Sequence, residues 1–147
     1  MTVLIRSASA RRVAAFVLPV LLVGLLTGCL DNQEQRLLGS VNALRSTVGV
    51  PTLAENHQVS QRAEQWAATL ANEGGLRHSD LKRLPVPFTK AAENVVKAGS
   101  LDEAHRLLAN SAPHRANMVD PAFTHIGIGT ARGADGMIYA VEIFVRS

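Results

Sequence analysis

The sequence predicts an α/β fold, a sandwich of helices around a small, mostly antiparallel sheet. Three observations lead there. Apolar residues recur at helical spacing twice in the first half, as Leu37, Leu38, Val41, Leu44 and Val48, then as Ala63, Trp66, Ala67, Leu70 and Ala71. Near the C-terminus Ile126 and Ile128 alternate with Gly127 and Gly129, Gly133-Ala134-Asp135-Gly136 turns, and residues 137–145 are rich in β-formers, which reads as an antiparallel hairpin. Between these regions Val95-Val96 marks a further short strand. Helices before and between strands, with a terminal hairpin, imply an α/β sandwich.

The first 28 residues stand apart from this pattern. Arg6, Arg11 and Arg12 precede an almost wholly apolar run over residues 13–26, and Leu26-Thr27-Gly28-Cys29 follows at once. That is the layout of a secretion signal. The run is shorter than the roughly 20 residues that span a bilayer, and Pro19 and Gly24 interrupt it. The junction resembles a bacterial lipobox, so residues 1–28 are expected to be a lipoprotein signal peptide, with Cys29 lipidated as the new N-terminus. Cys29 is the only cysteine and has no intrachain partner. A two-chain lipid would hold the protein stably on the extracytoplasmic face of the cell membrane.

The leader also carries the chain's excess charge. Without its three arginines, twelve of fifteen basic residues remain against twelve acidic ones. A formally neutral domain with no basic stripe is a poor match for nucleic acid. The 119 residues from position 29 onward are enough for one domain with a real core and too few for two. Residues 29–33 read as the lipidated tether and residues 34–147 as the domain, expected to be a monomer.

Taken in order, the first helix is expected over residues 34–47, stopped by Gly49. Val50-Pro51-Thr52-Leu53 is extended, because the residue before a proline is pushed out of helical geometry. The second helix takes Ser60 as its N-cap and Gly74-Gly75 as its stop, with Trp66 on the apolar stripe as a core residue. Arg77-His78-Ser79-Asp80 falls in a loop with room for one helical turn, since Pro85 and Pro87 forbid a long helix. The strand at residues 90–98 contains Glu93-Asn94. Ser100 and Glu103 have capping-box spacing ahead of a third helix over residues 101–110. Pro113 suits the first helical position of a short helix that Pro121 follows closely, and His114 lies in its first turn.

Two imidazoles and a carboxylate, His78, Glu93 and His114, therefore fall in three separate segments. They are a workable divalent-metal set, and equally a general acid/base set. Ser111 is either the N-cap of the Pro113 turn or a nucleophile near His114, with the cap the stronger reading. Asn94 and Asn117 are expected to hydrogen-bond backbone around a cleft. Glu142 shares a strand face with Ala140 and Phe144, and is cleft-lining or solvated according to what covers that face. His57, His105 and His125 have ordinary surface or half-buried roles.

Seven segments in order resemble the CAP superfamily (cysteine-rich secretory proteins, antigen five and pathogenesis-related plant proteins), in its compact bacterial branch. They are Asn42 and Arg45 with Gly49, Pro51 and Leu53; Ala63 and Ala67; His78-Ser79; Glu93-Asn94-Val95; residues 111–118; Phe123 with Ile126-Gly127-Ile128-Gly129; and residues 139–144. The resemblance implies an α-β-α sandwich with a cleft in which His78, Glu93 and His114 fill three positions of the family's His/Glu tetrad. It also implies candidate roles: divalent-metal (zinc or magnesium) binding, sterol or fatty-acid binding, and in some members proteolysis. Three departures stand out. Ser111 falls where other branches carry the tetrad's second glutamate, Ala92 where glycine is usual, and Leu108 where tryptophan is usual. A serine is a much poorer metal ligand than a carboxylate, so three strong ligands remain at most.

The expected function is a membrane-anchored protein that binds a small apolar or cell-envelope ligand, with a divalent ion at His78, Glu93 and His114 as an additional possibility. Two alternatives share the same cleft. One is a peptide or ester hydrolase of the envelope with His114 or Glu93 as base, and the other is a non-catalytic envelope interaction module.

Overall fold

In the computed structural model the described residues are 32–147; the expected signal, Cys29 and most of the tether lie outside them. Four helices and four strands follow in the order α1 (Asn32–Thr47), β1 (Ala54–Glu55), α2 (His57–Glu73), a 3-10 turn (Leu81–Arg83), β2 (Lys90–Ala98), α3 (Leu101–Asn110), α4 (Ala112–Val119), β3 (His125–Arg132) and β4 (Ile138–Arg146). The sheet runs β1-β3-β4-β2. Its two long pairings are antiparallel, and only β1 joins β3 in parallel, at Ala54–His125 and Glu55–Ile126. One face packs on α2 through Val59, Ala63, Ala67, Tyr139, Val141 and Ile143. The other carries Val96, Ile126, Ile128, Ala140 and Phe144 against α1, α3 and α4. This is the expected α-β-α sandwich.

The helix α1 begins two residues earlier than expected, so Asn32 and Gln33 are helical. A larger difference concerns the start of α2. Asn56, not Ser60, is the N-cap: it is extended (φ −111°, ψ 109°), and its side chain accepts from the Val59 N–H at 3.2 Å. The cause is the short parallel pairing, because the Asn56 N–H donates to the Ile126 carbonyl at 2.9 Å and holds the backbone out of helical geometry just there. Ser60 lies one turn further in, buried, with its hydroxyl donating to Glu55 Oε1 at 3.1 Å. At the other end Gly74 takes φ 72° and donates its N–H to the Leu70 carbonyl, as the glycine stop requires.

Gly127 and Gly129 make room for α2. A Cβ at Gly127 would lie 2.3 Å from the Val59 carbonyl carbon, and one at Gly129 would lie 2.1 Å from the Glu64 nitrogen, so helix backbone rests directly on strand backbone. A Gly129→Ala substitution is expected to lower stability by about 2 kcal/mol, the usual cost of overpacking where backbone has to give way. Urea unfolding of the variant beside the parent chain measures it.

Two buried polar side chains close gaps that the ladder leaves. β1 is only two residues long, so past it the edge of β3 away from β4 has no strand partner among the described residues; Glu34 of α1 accepts the Thr130 N–H there at 3.0 Å. Arg45, fully buried, sends its guanidinium to the carbonyls of Pro51 (2.6 Å), Met118 (2.8 Å), Asp120 (3.0 Å) and Phe123 (3.4 Å). It thereby ties the loop after α1 to the loop between α4 and β3. Desolvation lowers the Arg45 pKa, and the nearby Asp120 opposes that shift.

Candidate functional site

The site is built on β2, where alternation sends consecutive side chains to opposite faces. Ala91 and Val95 join the α2 core while Ala92 and Val96 join the other, so Glu93 belongs with α2 and Asn94 with α3 and α4. Adjacent residues thus found two polar clusters, one on either side of a single edge strand.

On the α2 side Glu93 receives the loop that follows the helix. His78 Nδ1 lies 2.9 Å from Glu93 Oε1, the Ser79 N–H donates to the same oxygen at 2.8 Å, and the Ser79 hydroxyl donates to Oε2 at 2.5 Å. The carboxylate is almost fully buried while the imidazole is 64 % exposed. An ionised carboxylate only accepts, so Nδ1 is the donor of this pair, on a histidine whose orientation is fixed from below. Trp66 holds the loop from the other direction. Its indole N–H donates to the Arg77 carbonyl at 3.1 Å, and the Arg77 guanidinium lies 4.4 Å from the ring centroid while pairing with Glu73 at 2.5 and 2.9 Å. The sequence expectation of a core tryptophan is corrected accordingly. Trp66 is only half-buried, with one part on the α2 core and the rest in contact with Arg62 and Arg77, because it sits at the edge of the helix stripe.

On the opposite side Asn94 is fully buried and central. Its amide donates to the His114 carbonyl and to Glu142 Oε2, each at 3.1 Å, and its carbonyl oxygen accepts from Asn117 Nδ2 at 3.0 Å. Asn94 therefore does hold backbone, as expected, whereas Asn117 holds Asn94. The His114 ring pairs with Ser111, Nδ1 to Oγ at 2.8 Å. Ser111 occupies the N-cap position of α4, and its carbonyl accepts the Arg115 N–H at 2.8 Å, yet its hydroxyl makes no capping bond because it is turned to the imidazole.

Glu142, whose environment was open from sequence, pairs with Asn94 and Ile128 across the ladder and is completely buried. Among the described residues Oε1 has no hydrogen-bond partner. Burial pushes its carboxyl up to about 7, with the Asn94 amide working weakly against that. His105 on α3 has a buried Nδ1 with no partner among the described residues, and desolvation lowers its pKa. His57 lies beside Glu55 and His125 beside Thr124, ordinary local contacts.

The donors for the implied zinc or magnesium do not converge. His78 and Glu93 form one pair and His114 pairs with a serine, and among the described residues no three His, Cys, Asp or Glu side chains are grouped so as to hold a metal ion. Glu93 already commits three hydrogen bonds to His78 and Ser79.

Residues 38–145 match the model of the cysteine-rich secretory protein family. The chain is 26% identical over 106 residues to the uncharacterized protein YkwD of Bacillus subtilis (strain 168), covering 65% of this chain and 41% of that one, so it spans less than half of this relative's length. Its fold is similar to an extracellular protein containing a SCP domain from Bacillus anthracis str. Ames (TM-score 0.70, 22% identity, 82% of this chain and 45% of that chain). It is also similar to an outer surface protein of Borrelia burgdorferi (TM-score 0.69, 16% identity, 80% and 96%). A fold of the same kind has been crystallised with a metal, as NaASP2 with Zn2+ (TM-score 0.63, 15% identity, 80% and 81%).

Proposed function

The chain belongs to the cysteine-rich secretory protein (CAP) family, and from that premise we propose that it is an extracytoplasmic domain, anchored by a lipid on Cys29, that binds a small apolar or cell-envelope ligand beside β2. The observation that carries the proposal is the state of His78. A buried carboxylate, itself held by the Ser79 N–H and hydroxyl, fixes one edge of the imidazole while the rest of the ring faces solvent, an arrangement that orders a contact group before any ligand arrives. The Asn94, Asn117 and Glu142 cluster supports the reading as a scaffold, since its bonds run inward and hold α4 on the strand. The extracellular and outer-surface relatives of the same fold agree with an extracytoplasmic location. The proposed binding involves no metal, because the donor set does not converge.

The test titrates the full chain, reconstituted in phospholipid nanodiscs, with palmitate and separately with a muropeptide digest. At least one is expected to bind with a Kd below about 100 μM, and His78→Ala is expected to weaken it at least tenfold, or about 1.4 kcal/mol. Equal affinity in His78→Ala and the parent overturns the assignment.

A second reading is favoured by one distance. Ser111 Oγ and His114 Nδ1 are 2.8 Å apart, within nucleophile-to-base reach. The acid that would orient such a pair is elsewhere, since Glu93 is bonded to His78. Turnover of a p-nitrophenyl ester that disappears in both Ser111→Ala and His114→Ala would place hydrolysis ahead of binding.

A further inference from the structure

The outer face of α2 carries a feature that the His78 site does not use. Gln58, Gln61, Arg62 and Gln65 recur at helical spacing on one stripe, and Arg83 and Pro85 face them from the 3-10 turn and the chain just after it. Together these six residues line a cavity of about 260 Å³. Two guanidinium groups and three carboxamides border it, and no carboxylate does. Arg62 is held in place, its guanidinium 5.4 Å from the centroid of the Trp66 ring, which is itself fixed by the Arg77 carbonyl. The second cation, Arg83, pairs through Nε with Asp80 at 3.3 Å, an exposed i,i+3 contact.

We propose that this groove is a binding site for an anionic sugar, a single hexose ring bearing a carboxylate or phosphate. Guanidinium forks match the planar or tetrahedral oxyanion. Carboxamides both donate and accept, which suits ring hydroxyls, groups that do the same. The volume lies just below the usual range of ligand sites and suits one ring rather than an extended chain. An unbranched apolar ligand finds few partners here, as Pro85 is the one apolar residue of the lining. The site is separate from the imidazole of His78, so it stands or falls independently of the function proposed above.

The test is chemical-shift perturbation of the 15N-labelled full chain in nanodiscs, with glucose 6-phosphate, glucuronate, glucose and inorganic phosphate as probes. At least one of the two anionic sugars is expected to bind in the millimolar range or tighter, shifting the amides of Gln61, Arg62, Gln65 and Arg83. Glucose and inorganic phosphate are each expected to bind at least tenfold more weakly than it. The Arg62→Gln, Arg83→Gln double variant is expected to lose at least tenfold for that sugar, and Gln61→Ala with Gln65→Ala to lose about threefold. Both pairs of positions are on the surface, and His78→Ala is expected to leave the binding in place. Phosphate binding as tightly as glucose 6-phosphate overturns the sugar assignment, glucose binding as tightly as both anionic sugars overturns the anion assignment, and shifts confined to other segments or no binding by either anionic sugar overturn the site.

Discussion

Arg45→Met will destabilise the chain by about 4 kcal/mol, through the loss of carbonyl partners and not of side-chain volume. Methionine refills most of the space, but it leaves the carbonyls of Pro51, Met118, Asp120 and Phe123 without the guanidinium that satisfies them. A buried acceptor stripped of its partner costs about 1–3 kcal/mol. Some of these loops will open to water and so recover part of that loss, which is why the expected total is below four times the upper figure. Urea unfolding checks the magnitude. Arg45→Lys is a sharper control: a single ammonium cannot reproduce the fork that reaches two loops at once, so at least half of the loss is expected to remain. A lysine variant as stable as the parent would show that charge and not bond geometry matters there.

Glu142→Gln will act in the opposite direction, and only above the acidic range. The carboxyl of Glu142 titrates near 7 in the folded chain against 4.5 as the ordinary value, so between these pH values the folded state binds the extra proton. Stability from this residue is therefore full below about pH 4.5 and declines as pH rises through 7, by about 3 kcal/mol in all. Glutamine keeps the shape and the acceptor for Asn94 but never ionises. The variant is expected to match the parent near pH 4.5, where its amide lacks an acceptor among the described residues much as the neutral carboxyl does, and to exceed it by about 3 kcal/mol at pH 8. Asp120 and Asp135, held low chiefly by Lys90 and Lys97, lose their contribution only as pH falls below the ordinary carboxylate range, so the two windows do not overlap. Unfolding curves at pH 4.5, 6 and 8 separate them. Parallel pH profiles for parent and variant would mean that Glu142 is not the group responsible.

Elements with their own period or punctuation are legible in the amino-acid sequence. β2 and α3 occupy the expected residues, and Gly74 stops α2, because a β-branched pair, a capping serine and a left-handed glycine are local signals. Asn56 and β1 are not legible in that way, since two residues have no period and the cap depends on a hydrogen bond to Ile126, seventy positions away. Trp66 shows the same limit within a helix, where spacing names the stripe but not its centre or rim. In the site, His78 and Glu93 do meet as their residue types suggested. His114 turns to Ser111 instead, which spacing along three separate segments could not decide. Whether Glu142 was wet or dry depended on helices that are joined to it only through the fold.

The glycine contact between α2 and β3 has a mechanical consequence. Where backbone lies on backbone with no side chain between them, there is no compliant layer, and the helix can neither roll nor slip by a residue without collision. Everything mounted on α2, from Arg62 on its outer face to the Trp66 ring that grips the Arg77 carbonyl, shares one rigid frame with the sheet that carries Glu93. A ligand arriving at either surface meets groups already at rest, and little of its binding energy is lost in bringing them to order.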